Sequence, residues 1–183
     1  MPDILLTHGY FLWEDEKEQR IMKPYAPLGI LYLSAYLKRE GFDVEIFDST
    51  FSTKDALRAR LAATPGGVVG VYTNLMTRPN ALWVVQAARQ HGWTVVLGGP
   101  ESANYPDDYL DRGADVVVVG EGEATMAELL PALSHRGAHR LHGVAGTVFR
   151  DEDGHIVHND ARDQIADIDS LPWPDRAAID TAA

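Results

Sequence analysis

Short apolar runs alternate with longer, helically spaced segments over the first two thirds of the chain. Five runs are almost wholly apolar and end in turn residues, so we predict β-strands at residues 3–7, 44–47, 68–72, 95–97 and 116–119. These runs show little alternation of polar and apolar positions. That pattern is typical of strands covered on both faces of a sheet.

Helical spacing fills the intervals between these strands. We predict helices at residues 28–40, 53–63, 81–90 and 124–133, with a short one near 107–112. The first begins after Pro27 and ends at Gly41, which are favoured boundary residues. Pro131 disfavours helix in the second half of the last one. Residues 8–27 have no such pattern and are predicted as a long loop, a feature that is usually functional or disordered.

The alternation of strand and helix predicts an α/β fold with a doubly wound, five-stranded parallel sheet, flavodoxin-like or Rossmann-like. In such sheets, ligands bind outside the carboxyl ends of the strands, where the strand order reverses. The pattern changes near residue 143. Residues 144–150 and 155–158 predict a β-hairpin around an Asp-Gly turn, and a Pro-rich stretch without a clear period follows from 165. We therefore expect a domain at 1–142 and, at 143–183, a hairpin and a linker toward a further domain.

Composition narrows the function classes. The chain has 183 residues, 45% of them hydrophobic, which is enough for one domain with a buried core. The net charge is −11 and the basic residues are scattered, which disfavours nucleic-acid binding. No apolar run is long enough to span a membrane, and without an export signal the cytoplasm is the expected compartment. The absence of cysteine excludes disulfides and cysteine-ligated iron–sulfur clusters in this chain.

Two glycine-rich turns follow the fourth and fifth predicted strands. Gly98, Gly99 and Pro100 end one strand, and the run 120–123, Gly-Glu-Gly-Glu, ends the next. A tight turn accounts for one glycine, whereas two together suggest the close approach of a bulky group. Backbone N–H groups at a helix start attract anions, but two glutamates would repel a phosphate. We therefore expect the second turn to contact amide or hydroxyl groups, or to cap its own helix.

Three other site types fit the sequence less well. A dinucleotide-binding domain has G-x-G-x-x-G after its first strand, where this chain has HGYFLW. A phospho-acceptor receiver domain has an aspartate at the end of its third strand, and residues 72–74 supply none. His135, His139 and His142 have a spacing found among metal ligands, but Gly137 interrupts them and the segment is predicted to be a surface loop.

Five segments together resemble a known family. In order they are PLGILYLSAYLKREGFDVEIFDS, VGVYTNLMT, VVLGGPES, DVVVVGEGEATMAELL and SLPWPDR. This arrangement resembles the N-terminal cobalamin-binding domain of B12-dependent radical SAM enzymes, over about residues 3–176. The combination of GGP, GEGE and LPWPDR carries the specificity, since each piece alone is common.

The resemblance implies where cobalamin would lie. The dimethylbenzimidazole nucleotide tail would enter between the sheet and its helices, and glycines at strand ends would let it pass close to the backbone. Residues expected to line the tail are Tyr72, Thr73, Asn74, Leu75, Met76, Thr77, Gly98, Gly99, Pro100 and Glu101. Residues expected to contact the corrin or the nucleotide are Gly120, Glu121, Gly122 and Glu123. Residues expected near the lower face of the corrin are His8, Gly9 and Tyr10.

The resemblance also bears on the lower axial ligand of cobalt. Other B12 enzymes supply a histidine from D-x-H-x-x-G after the first strand, but here Leu6 and Phe11 replace the Asp and the Gly around His8. Radical SAM relatives bind cobalamin with its base displaced and without a histidine ligand. The resemblance therefore implies base-off cobalamin, with Asn74, Leu75 or Met76 approaching the cobalt. His8 stays open as a cobalt ligand, because histidine is a common metal ligand.

The resemblance implies a larger enzyme, a methyltransferase or a related carbon-skeleton or ring-forming enzyme. S-adenosylmethionine and the [4Fe–4S] cluster would belong to a radical SAM domain elsewhere in that parent chain. Two alternatives remain: a stand-alone cobalamin carrier or sensor, and a flavodoxin-like domain that binds a nucleotide.

Overall fold

A seven-stranded sheet organises the chain. The computed structural model describes residues 2–21, 24–134 and 140–179. The strand order is β2-β1-β3-β4-β5-β6-β7, parallel from β2 to β5 and antiparallel for β6 and β7. The strands are β1 Ile4–His8, β2 Val44–Phe47, β3 Val68–Tyr72, β4 Thr94–Gly98, β5 Val116–Val118, β6 Thr147–Arg150 and β7 Ile156–His158.

Seven α-helices are described together with three 3-10 turns. The helices are α1 Glu16–Ile21, α2 Leu28–Arg39, α3 Lys54–Ala63, α4 Arg78–Gln90, α5 Pro100–Asn104, α6 Pro106–Asp111 and α7 Gly122–Ser134. The 3-10 turns are Leu12–Glu14, Ile168–Ser170 and Arg176–Ala178. Among the described helices, none combines the length and apolar character that a membrane span needs.

The predicted α/β architecture is confirmed and its sheet is parallel from β1 to β5, with a core on each face of the sheet. One core packs β-strand residues such as Leu5 and Leu97 against α3, α4 and α6. The other packs residues such as Leu6 and Val96 against α2 and α7. Because side chains alternate along a strand, the almost wholly apolar strands supply both cores at once.

The predicted count of five strands is wrong, because the hairpin belongs to the same sheet. β6 pairs antiparallel with β5, with Val117 opposite Val148. Val148 and Phe149 are 3% and 0% exposed and contribute to different cores. An unpaired β5 would leave an apolar edge strand open to aggregation, and the hairpin covers that edge.

Several helix predictions also need correction. The predicted loop at 8–27 contains α1 and a 3-10 turn, and α5 was not predicted. α4 begins at Arg78, three residues before the predicted start. α7 continues through Pro131 to Ser134. His135 and His139 of the histidine cluster lie outside the described residues.

Candidate ligand-binding site

An open cleft lies where the strand order reverses. β1 lies between β2 and β3 in the sheet. The chain therefore leaves β1 toward one side and later returns to pair with its other side, and the loops at the carboxyl ends of β1 and β3 diverge. The cleft there has a volume of about 670 Å³ and is lined by the loops after β1 and β3 and by the start of α2. The predicted site residues that line this cleft are His8, Gly9, Tyr10, Tyr72, Asn74, Met76 and Thr77.

A narrower slot of about 190 Å³ continues between the sheet and the helices α2 and α7. The sheet contributes Leu6, Gly70, Val96 and Val118 to its walls. The helices contribute Ile30 and Leu33 from α2 and Met126 from α7. The predicted site residues that line it are Tyr72, Gly98, Gly99, Gly120, Gly122 and Glu123. The cleft and the slot share Gly29, Ile30 and Tyr72, so they adjoin.

Glycines set the width of the slot. A β-carbon added at Gly98 or at Gly120 would meet no atom within 4 Å, so these positions face open space. A β-carbon at Gly29 would lie 3.7 Å from the Tyr72 ring, and one at Gly70 would lie 2.7 Å from the side chain of Leu6. Sequence reasoning missed Gly29 and Gly70. A glycine inside a strand pattern often marks a close approach, and at Gly70 the group that approaches is the side chain of Leu6, another wall residue of the slot.

Gly99 and Thr73 lock the turns after β3 and β4 together. Gly99 has φ 102° and ψ 167°, a conformation that only glycine adopts readily. The Thr73 N–H donates to the Gly98 carbonyl over 2.7 Å, and the Ser102 N–H donates to Thr73 Oγ1 over 3.1 Å. Thr73 is fully buried. Thr73 was predicted to line the ligand, but it lines neither cavity and lies behind Gly98 and Gly99, which line the slot.

The turn after β3 presents two apolar side chains on a rigid base. The Thr77 N–H donates to Asn74 Oδ1 over 2.9 Å, and the Asn74 N–H donates to Thr77 Oγ1 over 3.2 Å. Between them, Leu75 is 71% and Met76 is 85% exposed. Exposed large apolar residues at a turn tip beside a cleft are typical of a binding surface.

Besides Thr73 and Leu75, three predicted residues line neither cavity. Glu101 is buried and pairs with Arg78 over 3.0 Å. Glu121 Oε2 accepts the Ile165 N–H over 2.6 Å. Pro100 begins α5. These contacts are structural, since each ties one element to another.

His8 lies in the wall of the cleft with both ring nitrogens paired. Its ring is 5% exposed, and Nε2 lies 2.9 Å from Asp48 Oδ1. Nδ1 accepts the Tyr10 N–H over 3.2 Å, which leaves the proton on Nε2 for the carboxylate. Ser49 Oγ donates to the His8 carbonyl over 2.6 Å. The carboxylate partner, which the sequence around His8 lacks, therefore comes from the turn after β2.

Asp48 ionises more readily than an ordinary aspartate. Burial alone would raise its pKa, but hydrogen bonds from His8 and Thr50 outweigh burial and leave the pKa below its usual value. A group whose pKa is lower in the folded state stabilises the fold above the unfolded pKa, about 3.9 for aspartate. That contribution is lost as the pH falls through the lower, folded value.

We expect Asp48→Asn to flatten the acid side of the stability profile. Wild type should lose midpoint temperature steeply below about pH 4, and the variant should lose less over the same range because it has no proton to take up at this position. Thermal unfolding followed by circular dichroism between pH 6 and 3 measures this. Asp163→Asn, at an exposed position, is the matched control and should follow wild type. Identical profiles for Asp48→Asn and wild type would contradict the expectation.

The outer wall of the cleft is acidic. Glu14, Asp15 and Glu18 line it, and Lys54 pairs with Glu14 over 2.9 Å. The pKa of the Tyr10 hydroxyl is raised by burial and by the charges of Glu18 and Asp15. A ligand with several phosphate charges at this mouth would be repelled, whereas a large neutral ligand would not.

Comparisons with known proteins agree with this geometry. The family model described as B12 binding domain matches residues 21–130. An uncharacterized methyltransferase of Pyrococcus horikoshii is 32% identical over 157 residues, which are 81% of this chain and 33% of the relative. An uncharacterized methyltransferase of Synechocystis sp. is 32% identical over 66 residues, which are 36% of this chain and 12% of the relative. The chain thus spans a third or less of the length of these relatives.

Two solved structures have a similar fold. Both are of the cobalamin-dependent S-adenosylmethionine radical enzyme OxsB, one with aqua-cobalamin and S-adenosylmethionine bound and one apo and selenomethionine-labelled. Each match covers 96% of this chain and 24% of the OxsB chain. The TM-scores are 0.78 and 0.76, at 21% and 20% sequence identity. The family match covers α2, α7 up to Leu130 and the turns after β3, β4 and β5, which together wall the slot. The chain belongs to the B12-binding domain family.

Proposed function

We propose that this chain is the cobalamin-binding module of a B12-dependent radical SAM enzyme, and that the parent enzyme is a methyltransferase. The observation that carries the proposal is a broad cleft at the switch point that adjoins a narrow, glycine-lined slot. A broad macrocycle with a thin appended tail is the ligand shape that such a pair of cavities fits. The names of the two methyltransferase relatives support the choice of parent reaction.

Each cavity is assigned to one part of the cofactor. The corrin would lie over the open cleft, against Gly9, Tyr10, Asn74, Met76 and Thr77. The nucleotide tail would enter the slot past residues that leave room beside the backbone, namely Tyr72, Gly98, Gly99, Gly120, Gly122 and Glu123. Gly29 joins this set, whereas Gly70 makes room for the side chain of Leu6 in the wall of the slot. Thr73, Pro100, Glu101 and Glu121 would support the walls from behind.

The pairing of His8 favours cobalamin without a histidine ligand. Ligation by either ring nitrogen would break a hydrogen bond, to Asp48 or to the Tyr10 N–H, at a nearly buried position. An unsatisfied buried polar group costs about 1–3 kcal/mol. We propose that His8 shapes the loop after β1 and that the Leu75–Met76 turn is the part of the chain nearest the cobalt.

The parent chain would supply the remaining chemistry. Bound cobalamin offers a methyl group carried on its cobalt. This chain has no cysteine, so the [4Fe–4S] cluster and S-adenosylmethionine would be held by a radical SAM domain elsewhere in the parent protein. In this arrangement residues 1–142 form the cobalamin-binding unit, and residues 143–183 complete the sheet and lead toward the next domain. A parent gene with a C-x-x-x-C-x-x-C segment downstream would support this, and a parent gene without such a segment would favour a stand-alone carrier.

A visible absorption spectrum tests cofactor binding and ligation together. We expect the purified chain to retain hydroxocobalamin through gel filtration with a base-off spectrum that lacks histidine ligation. His8→Ala should leave the band positions unchanged, because His8 contacts protein groups. His158→Ala, at an exposed position, is the matched control. A histidine-ligated spectrum that His8→Ala abolishes would contradict the ligation proposal.

Failure to retain cobalamin would have a different meaning. The same measurement on the full parent protein shows whether a neighbouring domain completes the site. If neither protein retains cobalamin, while a nucleotide raises the midpoint temperature of this chain, the cobalamin proposal is wrong.

A further inference from the structure

The segment after β7 lies along the two helices that wall the slot. We name residues 162–175 the C-terminal strap. Its first half is fixed to α7. Arg162 Nε donates to Thr125 Oγ1 over 2.7 Å, and the same guanidinium pairs with Glu128. The Ile165 N–H donates to Glu121 Oε2, at the start of α7.

The second half of the strap is fixed to α2. The Arg39 guanidinium donates to the Ser170 carbonyl over 2.7 Å. The Asp175 N–H donates to the Leu31 carbonyl over 3.1 Å. Asp175 Oδ2 accepts from Ser34 Oγ over 2.8 Å and from Lys38 Nζ over 2.7 Å. The strap therefore joins α7 to α2 through side chains at both of its ends.

Both helices contribute walls to the slot. Gly29, Ile30 and Leu33 come from α2, and Gly122 and Met126 come from α7. Ser34, which holds Asp175, follows Leu33 directly and is fully buried. A change in the separation of α2 and α7 changes the slot, so a tie between them restricts how far it opens.

We propose that the C-terminal strap is a staple that holds α2 and α7 together over the slot and slows the release of the group inserted there. Asp175 is the positioning residue at its α2 end. The inference rests on the proposed function, since the inserted group is the nucleotide tail of cobalamin. Separation of α2 from α7 would widen the slot for a leaving tail, and that separation requires the strap to break a contact at one end.

The two side-chain contacts of Asp175 differ in strength. The bond from the buried Ser34 hydroxyl to a carboxylate is charge-assisted and shielded from water. Lys38 is 43% exposed, and ion pairs of that kind contribute little. Asp175→Asn keeps an oxygen acceptor for Ser34 and loses the ion pair, whereas Asp175→Ala loses both. The Ala variant should therefore be the more severe.

The experiment measures release of bound hydroxocobalamin by chase and gel filtration. We expect Asp175→Ala to release it about tenfold faster than wild type, as for loss of a buried charge-assisted hydrogen bond. Asp175→Asn should fall between the two. Asp169→Asn, an exposed strap aspartate, is the matched control and should equal wild type. Arg162→Ala tests the α7 end and serves as the main variant if Asp175→Ala does not fold.

Cobinamide, which lacks the nucleotide tail, separates a staple from general stabilisation. The proposal expects Asp175→Ala to weaken cobalamin binding while the affinity for cobinamide stays at the wild-type value. Equal weakening of both ligands would overturn the staple, since it would reflect general loss of structure. Wild-type release from both Asp175→Ala and Arg162→Ala would overturn it too. If this chain retains no cobalamin but the full parent protein does, the same variants are compared in the parent protein. If neither protein retains cobalamin, the proposed function fails and the staple fails with it.

Discussion

Gly98→Val is expected to leave the fold intact and to lower the affinity for cobalamin about 100-fold or more. Gly98 ends β4, its φ is not positive, and a β-carbon there would meet nothing within 4 Å. Valine is favoured in strands, so the empty protein should accept it. The valine side chain would fill part of the slot that the nucleotide tail needs. Overpacking of this kind costs about 1–3 kcal/mol, and displacement of the tail would add to that cost.

Two measurements test this expectation. Thermal unfolding of the cofactor-free variant should give a midpoint temperature close to that of wild type, and an absorbance titration should show weak or absent cobalamin binding. Thr94→Val, which places the same residue type at the other end of β4, should bind normally. Cobinamide should still bind Gly98→Val. Wild-type affinity for cobalamin in Gly98→Val would mean that the nucleotide tail does not enter this slot.

The parallel part of the sheet could be predicted from sequence because its strands are buried on both faces. Each of the five strands predicted for this part lies within one residue of the observed strand at both ends. The place of the hairpin could not be predicted in the same way. The residues of β6 identify a strand, but nothing local to β6 shows that its partner is Val117, some thirty positions earlier.

The site residues also differ in whether neighbouring sequence is enough to predict their place. Turns after β3, β4 and β5 could be predicted to meet, since the carboxyl ends of parallel strands lie at one edge. Glu101 was expected to face the ligand, but Arg78 holds it elsewhere. The Asp48 partner of His8 is 40 positions away along the chain, and only the β1–β2 pairing brings it close. Gly29 was missed because it lies inside a helix whose pattern is otherwise regular.

Gly99→Ala is expected to destabilise the fold by about 3 kcal/mol or more, with or without cofactor. Gly99 has φ 102° and ψ 167°, and a side chain in this region costs about 1–3 kcal/mol. Its β-carbon would lie 2.3 Å from the Thr73 carbonyl oxygen, so β3 and β4 must also shift apart at the turn. Overpacking of this kind adds about 1–3 kcal/mol. Urea unfolding followed by circular dichroism measures the loss.

Gly41→Ala separates the two causes. Gly41 also has a positive φ, 94°, but a β-carbon there would meet nothing within 4 Å. It should cost about 1 kcal/mol, from the backbone conformation alone. Equal losses of unfolding free energy for Gly41→Ala and Gly99→Ala would show that the turn after β4 accommodates the added methyl group without strain. The contrast with Gly98→Val is the stronger test. Of the two adjacent glycines, Gly98 is expected to leave space for the ligand, whereas Gly99 is needed for the chain to turn beside Thr73.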